Sequence, residues 1–115
     1  MDVRQLEKLR VLQDEEDPHL VANMARGYLD RTPQRIGRMH ELLATGNAAL
    51  LAHEAHGLAT SSGMFGMMRV RMHCKDLENL ARGPRLDGAA ELLSAVARAY
   101  QEARPLLMAQ VGLQD

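Results

Sequence analysis

The residues Ala55-His56-Gly57-Leu58-Ala59-Thr60-Ser61-Ser62-Gly63-Met64-Phe65-Gly66 decide how this chain is read. A helix turns about 100° per residue. Ala52, Ala55, Ala59 and Gly63 therefore fall near the same side as His56, one or two turns away. Those neighbours are small, so the imidazole is expected to stand on a low, accessible surface where a large partner can meet it. Leu51, Leu58 and Phe65 fall on another side, seven residues apart, and suit burial. Cys74, Leu77, Glu78, Ala81 and Arg82 follow further along.

The chain around this stretch has 115 residues, enough for one domain with a single core. Hydrophobic residues make up 46%, so a packed globule is expected and disorder is not. Trp is absent and aromatics are scarce; Leu, Ala and Met take their place, a composition that suits helices better than strands. A net charge of -1 gives no general pull toward nucleic acid. The single cysteine cannot form an internal disulfide and suits a reducing cytoplasm. No signal peptide is read at the start, and no apolar run has the length to cross a bilayer, so no membrane partner is expected.

Residues 2–13 read as a short amphipathic helix, with Val3, Leu6, Leu9 and Leu12 recurring every three residues. Such a helix needs another surface to rest on. Asp14-Glu15-Glu16-Asp17 reads as a solvated loop, with Asp17 as an N-cap and Pro18 at the first helical position. A second helix is expected over about 18–45, with a kink or break at Thr32-Pro33 because proline removes a backbone donor. Gly46 supplies a left-handed cap. A third helix over about 48–64 carries His56, with Gly63 and Gly66 marking its end. A fourth covers about 67–82, with Val70, Cys74, Leu77 and Ala81 at helical spacing. Residues 83–88 are the clearest loop. A last helix covers about 89–110, with Pro105 bending or loosening its final turns. The fold expected is all-α: an antiparallel up-down four-helix bundle over 17–110, capped by a short N-terminal helix and acidic loop over 1–16, in one domain spanning 1–115.

The central run resembles the signature of histidine-containing phosphotransfer (HPt) domains, written roughly A-H-x-L-K-G-S-S-x-x-L-G-A and followed by a Cys and a Leu-Glu pair. Ala55, His56, Leu58, Ser61, Ser62 and Gly66 match in register. Phe65 stands at an apolar position, and Cys74, Leu77 and Glu78 keep the later spacing. Many matches in one gapless register are far more specific than a lone short motif. The pattern's Lys, three residues after the histidine, is Ala59 here, and its next Gly is Thr60. These departures bear on rate and partner fit more than on the fold.

The resemblance implies a phosphorelay intermediate in which His56 takes a phosphoryl group from one receiver aspartate and passes it to another. An imidazole ionises near pH ~6.5, which leaves a neutral, nucleophilic form available near neutrality. The partners implied are response-regulator receiver domains, a hybrid sensor kinase, or both. The receiver brings Mg²⁺, and this chain needs no cofactor of its own. No P-loop or kinase Gly-rich loop is present, so no autokinase activity is expected. A cytoplasmic monomer is expected.

Several neighbours have two readings. His53 either bonds the phosphoryl group or is an ordinary solvated histidine; taking it as the acceptor would put Leu58, Ser61, Ser62, Gly66 and Cys74 out of register. The resemblance turns Ser61 toward the histidine to orient it; otherwise these serines bond their own backbone. Gly63 and Gly66 suit close approach and helix ending. Arg69, Arg71 and Lys75 either meet a phosphate or acidic partner surface, or are simply solvated. The candidate docking residues are Ala52, Met64, Met67 and Arg69, although core packing explains most of the methionines. His73 beside Cys74 hints at metal, but adjacent helical residues point apart, so no metal site is assigned. A non-phosphorylated adaptor that docks and modulates a receiver or another signalling protein is the alternative function, motivated by Ala59 and Thr60.

Overall fold

Local chemistry sets where each helix starts and stops. The computed structural model describes residues 1–114, and among these are five helices and no strand. They are α1 (Val3–Arg10), α2 (Leu20–Ala44), α3 (Ala48–Met64), α4 (Met68–Ala81) and α5 (Ala89–Val111). At α1 the Asp2 carboxylate accepts from the Arg4 N–H at 3.0 Å. Hydrogen bonds from Arg4 also hold this carboxyl below the usual carboxylate range.

The start of α2 departs from expectation. Asp17 does not cap it. Asp14 instead accepts from the N–H groups of Glu16 and Asp17, at 2.9 and 3.0 Å, and closes the acidic loop on itself. The helix begins two residues after Pro18. A first-turn donor, the Val21 N–H, is met by Gln13 Oε1 at 2.9 Å. A helix leaves its first N–H groups without internal partners, and here a side chain from before the loop supplies one.

Pro33 lies inside α2 without ending it. Proline has no N–H, so the Leu29 carbonyl one turn earlier loses its usual helical partner. The Tyr100 hydroxyl of α5 fills that vacancy, donating to Leu29 O at 2.7 Å. Burial pushes the Tyr100 pKa up, which keeps the hydroxyl in its donating form. Thr32 donates to Tyr28 O at 2.6 Å, and Tyr28 shares a 2.7 Å hydrogen bond with Ser62 of α3. The proline step is thus repaired by hydroxyls from the side chains around it.

Between α2 and α3, Gly46 adopts φ +70 as the left-handed cap, and Asn47 Oδ1 accepts from the Leu50 N–H. Gly66, at φ +75, ends α3, and its carbonyl accepts from the Asp2 N–H at 2.8 Å. A Cβ at Gly66 would overlap the Asp2 carbonyl, so the turn needs glycine for both reasons.

Packing follows the apolar stripes. α2 rests on α3 and α5, α4 rests on α3 and α5, and α1 lies on α2 and α3. Leu51, Leu58, Leu77, Leu93, Val96 and Leu107 are fully buried between them. α1 is shorter than the 2–13 expected, because Val11 and Leu12 turn out into solvent. It contributes one buried side chain, Leu6, and Arg10 donates to the Gln110 carbonyl of α5 at 2.7 Å. Among the described residues no helix is long and apolar enough to cross a membrane.

Two measurements check this architecture. Tyr100→Phe removes the donor to Leu29 and is expected to cost roughly 1–3 kcal/mol of stability, the range for a buried polar group left unpaired; urea denaturation reads it. Cys74 is buried, and desolvation raises its thiol pKa to about 12. The thiol therefore stays protonated at pH 8, and a maleimide should label it slowly in the native protein and rapidly in denaturant.

Candidate functional site

His56 stands at the seam between α3 and α4. The small residues beside it do not form the open surface expected from the sequence. Ala52, Ala55 and Ala59 are 4%, 0% and 2% exposed. Small side chains let another helix come close, and α4 takes up that space. Ala52, expected on a docking surface, is therefore buried. The histidine keeps its exposure by lying at the edge of the seam, where its side chain is 61% accessible.

The seat of α4 brings Glu78 to the ring. His56 Nδ1 lies 3.0 Å from Oε2 and 3.2 Å from Oε1 of Glu78. Arg82, one turn further along α4, places Nη2 2.6 Å from Glu78 Oε2. The Glu78 side chain is only 10% exposed, so this carboxylate is held from two sides in a largely dry place. An ionised carboxylate only accepts hydrogen bonds. Nδ1 must therefore carry the proton it shares with Glu78, and in the neutral ring the free lone pair sits on Nε2. Among the described residues Nε2 has no hydrogen-bond partner.

The ring borders an open hollow of about 520 Å³. Gln5 of α1, Thr60 and Met64 of α3, and Met68, Arg71 and Lys75 of α4 line it, with Ala59 and Gly63 beneath. Thr60 does not wall off the histidine, because its hydroxyl turns back to donate to the His56 carbonyl at 3.2 Å. Gly63 leaves room for Arg71, whose Cδ would lie 3.0 Å from a Cβ at that position.

The other candidates separate. Met64 is exposed and lines the hollow. Met67, expected on a docking surface, is 1% exposed, because it follows the Gly66 turn directly into the core. Arg69 points away from His56 into a different hollow beside α5, where it pairs with Glu102 at 3.6 Å. His53 is exposed and borders a separate hollow with Ala81 and Arg82. Ser61 does not turn toward the histidine; it accepts from Arg35 of α2 at 3.4 Å, while Ser62 is buried against Tyr28. Both serines thus bond α2, and the ring is oriented by Glu78 instead.

Glu78 and Arg82 stand out in the sequence only by their spacing after the histidine, with no task attached, and Gln5 does not stand out at all. A signal for Glu78 was present: it is the one acid on the buried stripe of Val70, Cys74, Leu77 and Ala81. Gln5 reaches the hollow only through the docking of α1, which no local pattern announces. Among the described residues no group of three His, Cys, Asp or Glu side chains is placed to hold a metal ion.

The family profile of the Hpt domain matches residues 23–105, a span that holds His56, Glu78 and every residue lining the hollow apart from Gln5. No curated protein and no solved structure matches the chain. A profile match over most of the chain, around an exposed histidine held by a carboxylate, places this protein in the Hpt domain family, whose members take part in two-component phosphorelay phosphotransfer.

Proposed function

We propose that this protein relays a phosphoryl group between receiver-domain aspartates through Nε2 of His56, without kinase activity of its own. The observation that carries this reading is the pairing of His56 Nδ1 with Glu78, which fixes the tautomer and leaves the Nε2 lone pair open on an exposed ring. Nε2 attacks the phosphorus of an aspartyl phosphate. The new N–P bond forms as the acyl P–O bond breaks, and the aspartate departs as a carboxylate. The ring keeps its Nδ1 proton, so it becomes cationic, and the Glu78 carboxylate stabilises that charge. Phosphoryl transfer asks chiefly for positioning and charge stabilisation, and both are available from a rigid seam between two helices. A second receiver aspartate then takes the group.

The receiver supplies the acyl phosphate together with its Mg²⁺, and a hybrid sensor kinase stands upstream. The scaffold is read as an antiparallel up-down four-helix bundle of α2–α5 capped by α1. The closed circuit of contacts α2–α3–α4–α5–α2 and the short connections between these helices support that topology. The protein is taken to act as a cytoplasmic monomer, in keeping with its lone unpaired cysteine.

Incubation with a phosphorylated receiver should place acid-labile phosphate on the protein. His56→Gln should abolish labelling while keeping the circular dichroism spectrum and melting behaviour of the parent; label on this variant at the wild-type rate would refute the proposal. A receiver still bound and modulated by unlabelled His56→Ala would favour the adaptor role instead. Glu78→Ala should slow transfer by about 10- to 100-fold, the worth of roughly 1.5–3 kcal/mol for a hydrogen bond to a charged group. Glu78→Gln, which still accepts from Nδ1 but lacks the charge, should fall between the two.

A further inference from the structure

The hollow beside His56 holds two cations that the proposed chemistry has not yet used. Arg71 and Lys75 stand one turn apart on α4, on the stripe that continues to Glu78 and Arg82, and both border the space in front of the ring. Arg82 is neutralised by Glu78 at 2.6 Å. Arg35 and Arg38 are engaged with Glu54, and Arg69 with Glu102. Arg71 and Lys75 have no carboxylate within ion-pair distance among the described residues. α3 itself offers no cation there: its residues lining the hollow besides His56 are Ala59, Thr60, Gly63 and Met64. Gly63 leaves space for the Arg71 stem to lie against α3 at the edge of the hollow.

We propose that Arg71 and Lys75 form a phosphoryl-binding pair, which takes the oxygens of the group on His56 Nε2 as Glu78 takes the proton on Nδ1. The inference rests on the phosphotransfer reading above. A phosphoryl group carries nearly two negative charges, and unpaired cations across an open hollow attract it more strongly than solvated ones that already have partners. The site is split by charge: the acid lies behind the ring, where positive charge develops, and the bases lie in front, where the oxygens sit.

The test uses phosphoramidate as the donor, so that no receiver needs to be identified. The donor's P–N bond breaks with loss of ammonia as the bond to Nε2 forms. Arg71→Met and Lys75→Met keep the length of the stems and remove the charges. Each should slow labelling about fivefold, and both together about 25-fold, from the attraction of one charge at roughly 4 Å across water. Arg71→Lys should restore most of the rate. Added salt should slow the wild type and leave the double variant nearly unchanged. The ³¹P resonance of the labelled double variant should titrate at higher pH than that of the wild type, because the cations favour the dianion; a purely structural role would not move it. A wild type that takes no label on His56 overturns the phosphotransfer reading, and this inference with it. A wild type that is labelled on His56 while the double variant matches it in rate, salt response and ³¹P titration overturns this inference alone.

Discussion

The hydrogen bond between His56 Nδ1 and Glu78 depends on how closely α4 lies against the alanine face of α3, and the rest of the site follows from that distance. Ala52, Ala55 and Ala59 have nothing beyond Cβ to hold the helices apart. α4 therefore settles near enough for the Glu78 side chain to reach the ring. The same approach draws Arg82 to the carboxylate and lines up Arg71 and Lys75 along the opening. A larger residue on this face would push α4 outward and lengthen the contact with the ring before it disturbed the apolar core.

A buried carboxylate is costly unless it is charged against something. Glu78 meets this need with Arg82 on one side and the ring on the other. Three buried hydroxyls are satisfied in a similar way but serve only the scaffold, whereas His73 Nδ1 is buried without a hydrogen-bond partner among the described residues. Tyr28 meets Ser62, Thr32 meets the Tyr28 carbonyl, and Tyr100 meets the carbonyl opposite Pro33. In each case a hydroxyl joins two helices, or two turns of one helix, where apolar contact alone would leave a donor or acceptor stranded. The molecule thus keeps its buried hydroxyl bonds on the α2 side of α3 and the histidine–carboxylate pair on the α4 side.

Much of this was legible in the chain. The limits of α3 fall at Ala48 and Met64 as its small-residue and glycine pattern indicated, and the stripes of α4 and α5 were readable from apolar spacing. The site was less legible, for physical reasons. Helical periodicity tells which residues share a face, but not whether that face meets solvent or another helix; Ala52 and Met67 look alike on paper as exposed or buried. Ser61 lies at a helical angle that serves α2 and not the histidine, and only the seating of Arg35 reveals it. The α2 start was misplaced because Gln13 caps it from across a loop, a long-range choice that local rules about Asp and Pro do not anticipate.

On the proposed relay through His56, the proton fixed on Nδ1 has a consequence for the direction of traffic. A phosphorylated ring that already carries its positive charge is a ready leaving group, so return of the phosphoryl to an incoming carboxylate requires no acid to be recruited. Loading and unloading then pass through one and the same arrangement of atoms. Such a carrier imposes no direction of its own, and the net flow is set by whichever partners are charged and abundant.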